Sequence, residues 1–195
     1  MSRSITVTFD YRCPFAYNGN SALIDAVENG ADLDVRFAPF SLDQVHVEEG
    51  APPVWERDPR EWGSGVLALL YGIAARDEFP DQYIAAHLEL FGARHVRGEK
   101  LADEAVLRGA VTRAGIDPDA LAEVAHASKT LKTLGAEHTE MVDVYAVFGV
   151  PTFIEGDEAV FVRFMDRGHG PDVERMLDLL EWTSFNEFKR TRVPR

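Results

Sequence analysis

The feature that most constrains the fold of this chain is the change from a strand pattern to a helix pattern at its only cysteine. Residues 4–9 are rich in β-branched side chains and roughly alternate between apolar and polar, which is typical of a strand. Pro14, directly after Cys13, suits the first turn of a helix, where its missing N–H is not needed. Apolar side chains then recur at helical spacing as far as Gly30, which ends the pattern. The sequence therefore predicts a helix whose N-terminus lies at Cys13.

A cysteine in this position is a candidate nucleophile. The free N–H groups and the dipole of a helix N-terminus favour a thiolate over a thiol, so we predict a pKa for Cys13 below that of a free thiol. Such a thiolate attacks electrophiles near neutral pH without a neighbouring base. The alternative is a small buried side chain, since free cysteine is among the most buried residue types. Because the chain has no second cysteine, any thiol chemistry must use one thiol only.

The rest of the chain predicts an α/β protein with a helical middle. Residues 33–40 form a second strand pattern, which should pair parallel to the first through the intervening helix. Residues 41–59 are irregular, and residues 61–148 show helical patterns only. Residues 149–162 then predict a hairpin of two strands, and residues 172–182 predict an amphipathic helix. The predicted order is β-α-β, a helical insert, and β-β-α.

This order resembles the thioredoxin fold with an inserted all-helical subdomain, as found in the DsbA family. The resemblance implies a thioredoxin-like domain made of residues 1–40 and 149–195, with residues 41–148 as a loop plus helical insertion. Cys13-Pro14-Phe15-Ala16 is similar to the family's Cys-x-x-Cys motif, with Ala16 in place of the resolving cysteine. The family's dithiol cycle therefore cannot operate within this chain, and a small thiol or another protein must complete the reaction.

A second motif carries the same resemblance. Val150-Pro151-Thr152 is similar to the family's loop before the third strand, where the bond before proline is cis and the loop faces the cysteine. The alternative is a trans proline that opens an edge strand. The resemblance implies a substrate-binding or thiol-binding surface made of Phe15, Tyr17, Val150, Pro151 and Thr152.

Two further side chains are candidates for supporting roles. Asp10 would raise the pKa of the Cys13 thiol if it points inward, and it is also placed to relay protons or to bond its own turn. Of the six histidines, His95 and His138 are the two candidates. We expect His138 to stabilise the thiolate or orient a ligand, with a solvated helix histidine as the alternative.

A narrower resemblance covers nearly the whole chain. Residues 185–192 are similar to the C-terminal segment of the actinobacterial mycothiol-dependent nitroreductase family, and residues 92–104 are similar to part of its helical insert. This implies reduction or transfer chemistry with mycothiol or glutathione as cosubstrate and no tightly bound cofactor. No metal site is expected, because the chain has neither a second cysteine nor a cluster of histidines. The basic residues Lys189, Arg190 and Arg192 are candidates for binding an anionic cosubstrate, although pairing with the acidic surface also explains them.

Composition limits the partners. The net charge of −13 argues against a nucleic-acid partner, which requires a basic face. No apolar run is long enough for a membrane span, and no apolar stretch follows Met1. Together with the single cysteine, this predicts a cytoplasmic protein. We further expect a monomer or homodimer that acts on a small electrophile or disulfide.

Three functions remain open at this point. The first is a DsbA-like thiol oxidoreductase or transferase in which Cys13 is the nucleophile. The second is a glutathione-dependent transferase or isomerase similar to the kappa class and to 2-hydroxychromene-2-carboxylate isomerase, which usually have Ser-Pro at this position. The third is a non-catalytic binding or redox-sensing protein, since fold does not determine function.

Overall fold

The computed structural model of the protein describes residues 2–187 and 189–190. The residues of the basic tail that lie beyond position 190, and Phe188 within it, fall outside this range, so the prediction for Arg192 does too. The strands are β1 (Arg3–Phe9), β2 (Leu33–Pro39), β3 (Thr152–Glu155) and β4 (Glu158–Phe161). The helices are α1 (Pro14–Glu28), α2 (Leu42–Val45), α3 (Val66–Glu78), α4 (Tyr83–His95), α5 (Glu104–Arg113), α6 (Pro118–Ala125), α7 (Ser128–Tyr145) and α8 (Pro171–Glu181).

The four strands form one mixed sheet in the order β2-β1-β3-β4. β1 pairs with β2 in parallel, whereas β3 runs antiparallel to both β1 and β4. Val7 of β1 is opposite Phe37 of β2 and Phe153 of β3, and it is fully buried. β1 is therefore an interior strand, and its C-terminal end leads directly into the loop that carries Cys13.

α1 packs closely against the sheet at a glycine. A Cβ atom on Gly19 would lie 3.0 Å from Cζ of Phe153 and 3.1 Å from Cγ of Pro151. Both distances are shorter than ordinary van der Waals contact, so only glycine fits without displacing β3 or the loop before it. This close approach places the first half of α1 beside the Val150–Pro151 loop.

Six helices, α2 to α7, lie between β2 and β3. α3 is buried on nearly all sides and contacts the four helices that follow it. The apolar cores of the sheet and of these helices form one continuous cluster. The predicted order of strands and helices is therefore confirmed. Among the described residues, no helix is both long and apolar enough to cross a membrane.

α4 runs through Gly92 to His95, and the chain then turns at Gly98, whose φ of +68° favours glycine. One local prediction was wrong. The segment predicted to be irregular contains α2, whose N-cap is Ser41: the Ser41 hydroxyl accepts a hydrogen bond from the Gln44 N–H at 3.2 Å.

Candidate active site

Cys13 is the N-cap residue of α1, as its position before Pro14 predicted. The N–H of Ala16 donates to the Cys13 sulfur at 3.4 Å. On its other side, the thiol donates to the carbonyl oxygen of Val150 at 3.3 Å. The Val150–Pro151 peptide bond is cis. The two sequence motifs, 137 residues apart, therefore meet at the sulfur.

The predicted acidity of Cys13 was wrong. Burial raises the pKa of the thiol above its usual value, and the negative charge of Asp10 raises it further. The N–H groups of Ala16 and Phe15 lower the pKa, as expected at a helix N-terminus, but burial outweighs them. The contact with Val150 acts in the same direction as burial, because only the protonated thiol can donate to a carbonyl oxygen. At neutral pH the resting sulfur is therefore a thiol.

Asp10 points inward and is fully buried. Its carboxylate accepts hydrogen bonds from the backbone N–H of Arg12 at 2.8 Å and of Leu42 at 2.9 Å. It also faces the guanidinium of Arg12, which donates to Asp43 at 2.6 Å. The expectation that Asp10 bonds its own turn is thus confirmed. Arg12 neutralises two carboxylates and is not directed at the sulfur, so it ties the Cys13 loop to α2.

A buried hydrogen-bond network lies beneath Ala16, and the sequence reasoning did not identify it. The Tyr11 hydroxyl donates to Nδ1 of His87 at 2.9 Å, and Nε2 of His87 donates to Oδ1 of Asn20 at 3.0 Å. Nδ2 of Asn20 donates to the Ala16 carbonyl at 2.8 Å, which fixes the amide orientation and hence the imidazole tautomer. Burial, assisted by the charge of Arg76, lowers the pKa of His87 to about 3.

A sequence signal for this network did exist. His87 is separated by four residues from Tyr83 and from Phe91, so all three lie on one face of α4. A histidine flanked in this way by aromatic residues belongs to a buried face and needs polar partners there. The hydrogen-bond network joins Tyr11, in the Cys13 loop, to the Ala16 carbonyl in the first turn of α1, and so holds these two segments together.

His138 does not have the role that the sequence predicted. Its ring is buried against Phe40 and Trp55, with centroid distances of 4.4 and 5.3 Å. Nδ1 accepts a hydrogen bond from the backbone N–H of Ser41 at 3.1 Å. Burial lowers the pKa of His138 to about 4, so the ring is neutral at pH 7 and supplies no positive charge to a thiolate. The alternative of a solvated histidine is also wrong.

The aromatic candidates beside Cys13 are covered by two arginines. Tyr17 stacks on Phe91 with a centroid distance of 5.0 Å, and the guanidinium of Arg167 lies 4.0 Å from the centroid of its ring. Arg163 lies 5.4 Å from the ring centroid of Phe15. Sequence reasoning missed both arginines. They follow β4, far from Cys13 in the chain, and only the folded structure brings them to the first turn of α1.

Thr152 and Pro14 differ in exposure. Thr152 is buried. Its N–H is not free to donate to a ligand because it donates to the hydroxyl of Thr8 at 2.8 Å, and its own hydroxyl donates to the Gly149 carbonyl at 2.8 Å. It therefore shapes the loop before β3. Pro14 is exposed at the first helical position. Within the described part of the chain, no group of three acidic, histidine or cysteine side chains is arranged to hold a metal ion.

A cavity of about 550 Å³ lies beside the Cys13 loop. Its walls include Ser64, Arg94, His95, Lys100 and Leu101. Nε2 of His95 donates to the Tyr11 carbonyl at 2.9 Å, so the cavity reaches the loop that holds Cys13. Its volume is in the range of small-molecule sites, which is about 300–1,000 Å³.

The fold and the site together define a thioredoxin-like protein with a half-buried thiol at the start of its first helix. A family model of the DSBA-like thioredoxin domain matches residues 4–168, so the chain belongs to the DsbA-like family of thioredoxin-fold oxidoreductases. The predicted fold class and family are thus confirmed.

Solved structures with the same fold include several oxidoreductases. A thioredoxin-like oxidoreductase from Silicibacter pomeroyi DSS-3 is 17% identical, covers 92% of this chain and 87% of its own, and gives a TM-score of 0.64. A periplasmic thioredoxin-like protein from Salmonella enterica serovar Typhimurium is 20% identical, with a TM-score of 0.62, and the match covers 93% of this chain and 85% of that one. The oxidoreductase NmDsbA1 from N. meningitidis is 16% identical, with a TM-score of 0.61, and the match covers 94% of this chain and 86% of that one. At these identities the likeness shows the fold alone, and no curated protein matches the chain.

Proposed function

We propose that this protein is a monothiol oxidoreductase that exchanges disulfides with a low-molecular-weight thiol such as mycothiol or glutathione. One observation carries the proposal. Cys13 is the N-cap of α1 and contacts the Val150 carbonyl, while Ala16 occupies the position of a resolving cysteine. Since the chain has no other cysteine, the oxidised form of Cys13 is a mixed disulfide with another molecule.

The reaction consists of two thiol–disulfide exchanges. The Cys13 sulfur, after losing its proton, attacks one sulfur of a disulfide; the S–S bond breaks, a new bond to Cys13 forms, and the second sulfur leaves as a thiolate that solvent protonates. A free thiol then attacks the mixed disulfide and releases Cys13. Because burial raises the pKa of Cys13, only a minor fraction is ionised at neutral pH, and the rate of the first step should increase with pH.

A second function is favoured by the raised pKa. In a glutathione-dependent transferase or isomerase of the kappa type, the protein's side chain donates a hydrogen bond to the thiolate of bound glutathione and is not itself the nucleophile. A neutral Cys13 thiol that already donates to Val150 suits this role. A serine hydroxyl at position 13 would also donate a hydrogen bond to the thiolate of glutathione, but it could not form a mixed disulfide. The Cys13→Ser variant therefore distinguishes a transferase or isomerase from an oxidoreductase.

The test is the intact mass of the protein after incubation with oxidised glutathione or oxidised mycothiol. We expect an adduct of one thiol on Cys13, its removal by the reduced thiol, and no adduct on the Cys13→Ser variant. Thiol-dependent turnover that survives Cys13→Ser would favour the transferase or isomerase. No adduct and no turnover would favour a binding protein and refute the oxidoreductase.

The proposal includes a cytoplasmic location and small-molecule partners. The single cysteine supports the location, since disulfide-rich proteins belong to oxidising compartments. The net charge of −13 argues against a nucleic-acid partner. The Salmonella relative is described as periplasmic, so detection of the protein by fractionation is the direct test.

A further inference from the structure

Two guanidinium groups flank the first turn of α1. Arg163 lies 5.4 Å from the ring centroid of Phe15, and Arg167 lies 4.0 Å from that of Tyr17. These aromatic residues are the second and fourth after Cys13. The guanidiniums of Arg163 and Arg167, which we call the arginine rim, therefore lie over two rings of the helical turn that begins at Cys13.

The loop that carries the arginine rim is attached to α1. Nδ2 of Asn18 donates to the carbonyl oxygens of Phe164 and Met165, at 3.0 and 3.3 Å. The ring of Phe164 packs on Phe153 of the sheet. Each guanidinium also gains a cation–π contact with an aromatic ring, which at exposed sites contributes about 0.5–1 kcal/mol. The rim is thus held near Cys13 by several contacts.

The arginine rim has no carboxylate partner among the described residues. Many other arginines, including Arg12, Arg36 and Arg76, are paired with Asp or Glu. Asp166 lies between the two rim residues in sequence, but no ion pair joins it to either of them. In a chain with a net charge of −13, two exposed guanidiniums without such a partner leave a local positive potential available to a ligand.

The electrostatics of the site are consistent with this geometry. Burial and Asp10 raise the pKa of the Cys13 thiol, whereas the positive charge of Arg163 lowers it. Burial lowers the pKa of His95, and the charges of Arg94 and Arg167 lower it further. Arg94 also lines the cavity beside the Cys13 loop. Arg94 and Lys100 thus add positive charge to the cavity wall, which also includes the carboxylate of Glu99.

We infer that the arginine rim selects, for exchange at Cys13, small thiols and disulfides that carry carboxylates over uncharged ones. The inference rests on the proposed function and names its cosubstrate class. Glutathione carries two carboxylates. A planar guanidinium can donate two parallel hydrogen bonds to one carboxylate, so arginine is well suited to bind such a ligand. Mycothiol is a sugar conjugate without an ionised group apart from its thiol, so the rim offers it no electrostatic gain.

The test compares two chromogenic disulfides in reaction with Cys13 at one fixed pH. Dithiobis(nitrobenzoate) carries two carboxylates, and dithiodipyridine is uncharged. The readout is the ratio of their second-order rate constants, because a change in the pKa of Cys13 affects both reactions equally and cancels. In the double variant Arg163→Gln/Arg167→Gln we expect the ratio to fall about fivefold to tenfold at low ionic strength, with a much smaller change at high salt.

Arg175→Gln is the matched control. It removes one positive charge, half of what the double variant removes, from an exposed residue of α8 that pairs with Asp172 at 3.0 Å. The start of α8 is fixed at Asp25, which accepts from the Gly170 N–H and lies about 18 Å further along α1 than Cys13. The ratio for this variant should equal that of the wild type.

The possible outcomes separate the inference from the function on which it rests. An unchanged ratio in the double variant, or an equal fall in Arg175→Gln, overturns the inference while exchange at Cys13 stands. Adduct formation that is faster with oxidised mycothiol than with oxidised glutathione also overturns it. If Cys13 reacts with none of these disulfides, the proposed function fails as well.

Discussion

Acidification from pH 7 to pH 5 should strongly destabilise this protein, because two histidines are buried in their neutral form. Burial lowers the pKa of His87 to about 3 and that of His138 to about 4. In the unfolded chain both regain a pKa of about 6.5. As the pH falls below 6.5 the unfolded state takes up protons that the folded state does not, so the free energy of unfolding decreases until the folded pKa values are reached.

The magnitude follows from the two pKa values of each residue. Between pH 7 and pH 5 each histidine removes about 2 kcal/mol, and the pair removes roughly 4 kcal/mol. Carboxylates contribute little in this window, because in the unfolded chain they titrate at about pH 4. Since small domains have a stability of about 5–15 kcal/mol, the loss is easily measured.

His138→Asn isolates one residue of the pair. The Asn side-chain oxygen can still accept from the Ser41 N–H, but it has no group that titrates. Urea unfolding followed by circular dichroism at pH 7 and pH 5 should give a decrease in stability that is about 2 kcal/mol smaller than in the wild type. The absolute stability of the variant does not enter this comparison, so lost packing against Phe40 and Trp55 does not mask the result.

His46→Asn is the control, since the His46 side chain is exposed and folding does not remove it from water. Its decrease in stability between the two pH values should match that of the wild type. An equal decrease in His138→Asn and in the wild type would show that His138 is not buried in its neutral form and would refute the reasoning.

Three further predictions concern the active site and the packing around it. Gly19→Ala should lower the free energy of unfolding by about 1–3 kcal/mol, because the new Cβ would lie 3.0 Å from Cζ of Phe153 on β3. The control Gly109→Ala, in α5, should raise it by up to about 1 kcal/mol. Equal effects of the two substitutions would contradict the packing described. The Ala16→Cys variant should form an internal disulfide with Cys13, so that its oxidised form is two hydrogens lighter by mass than its reduced form. A mixed disulfide that persists in this variant would show that the two side chains do not meet. In alkylation rates against pH, the wild-type midpoint should lie above that of a free thiol, and Asp10→Asn should lower it; a midpoint that stays unchanged would leave burial as the only cause.

The sequence predicted those features that depend on local interactions. The strand before Cys13, the helix that starts behind it and the turn bonded by Asp10 involve residues within a few positions of one another. The contact between Cys13 and Val150 spans 137 residues, and it was accessible only through the resemblance to a family with the same two motifs.

The acidity of the site could not be predicted in the same way. The helix N-terminus, visible in the sequence, lowers the pKa of Cys13, but the opposing burial comes from elements that are distant in the chain. His138 was misjudged for the same reason, because Phe40 and Trp55 cover it only after folding. No local sequence pattern pointed to Arg163 and Arg167, because the rings that they cover, Phe15 and Tyr17, are distant from them in the chain.

The raised pKa and the missing second cysteine are consistent with each other under the proposed function. A thiol whose pKa is strongly lowered is stabilised as a thiolate at neutral pH, which stabilises the reduced protein and makes it a strong oxidant. Cys13 gains no such stabilisation, and a sulfur of higher pKa is also a slower leaving group. Both effects favour a long-lived mixed disulfide at Cys13. A resolving cysteine at position 16 would attack the mixed disulfide and replace it with an internal disulfide. With Ala16 at this position, the mixed disulfide is released only by a free thiol from solution, at a rate that depends on the concentration of that thiol.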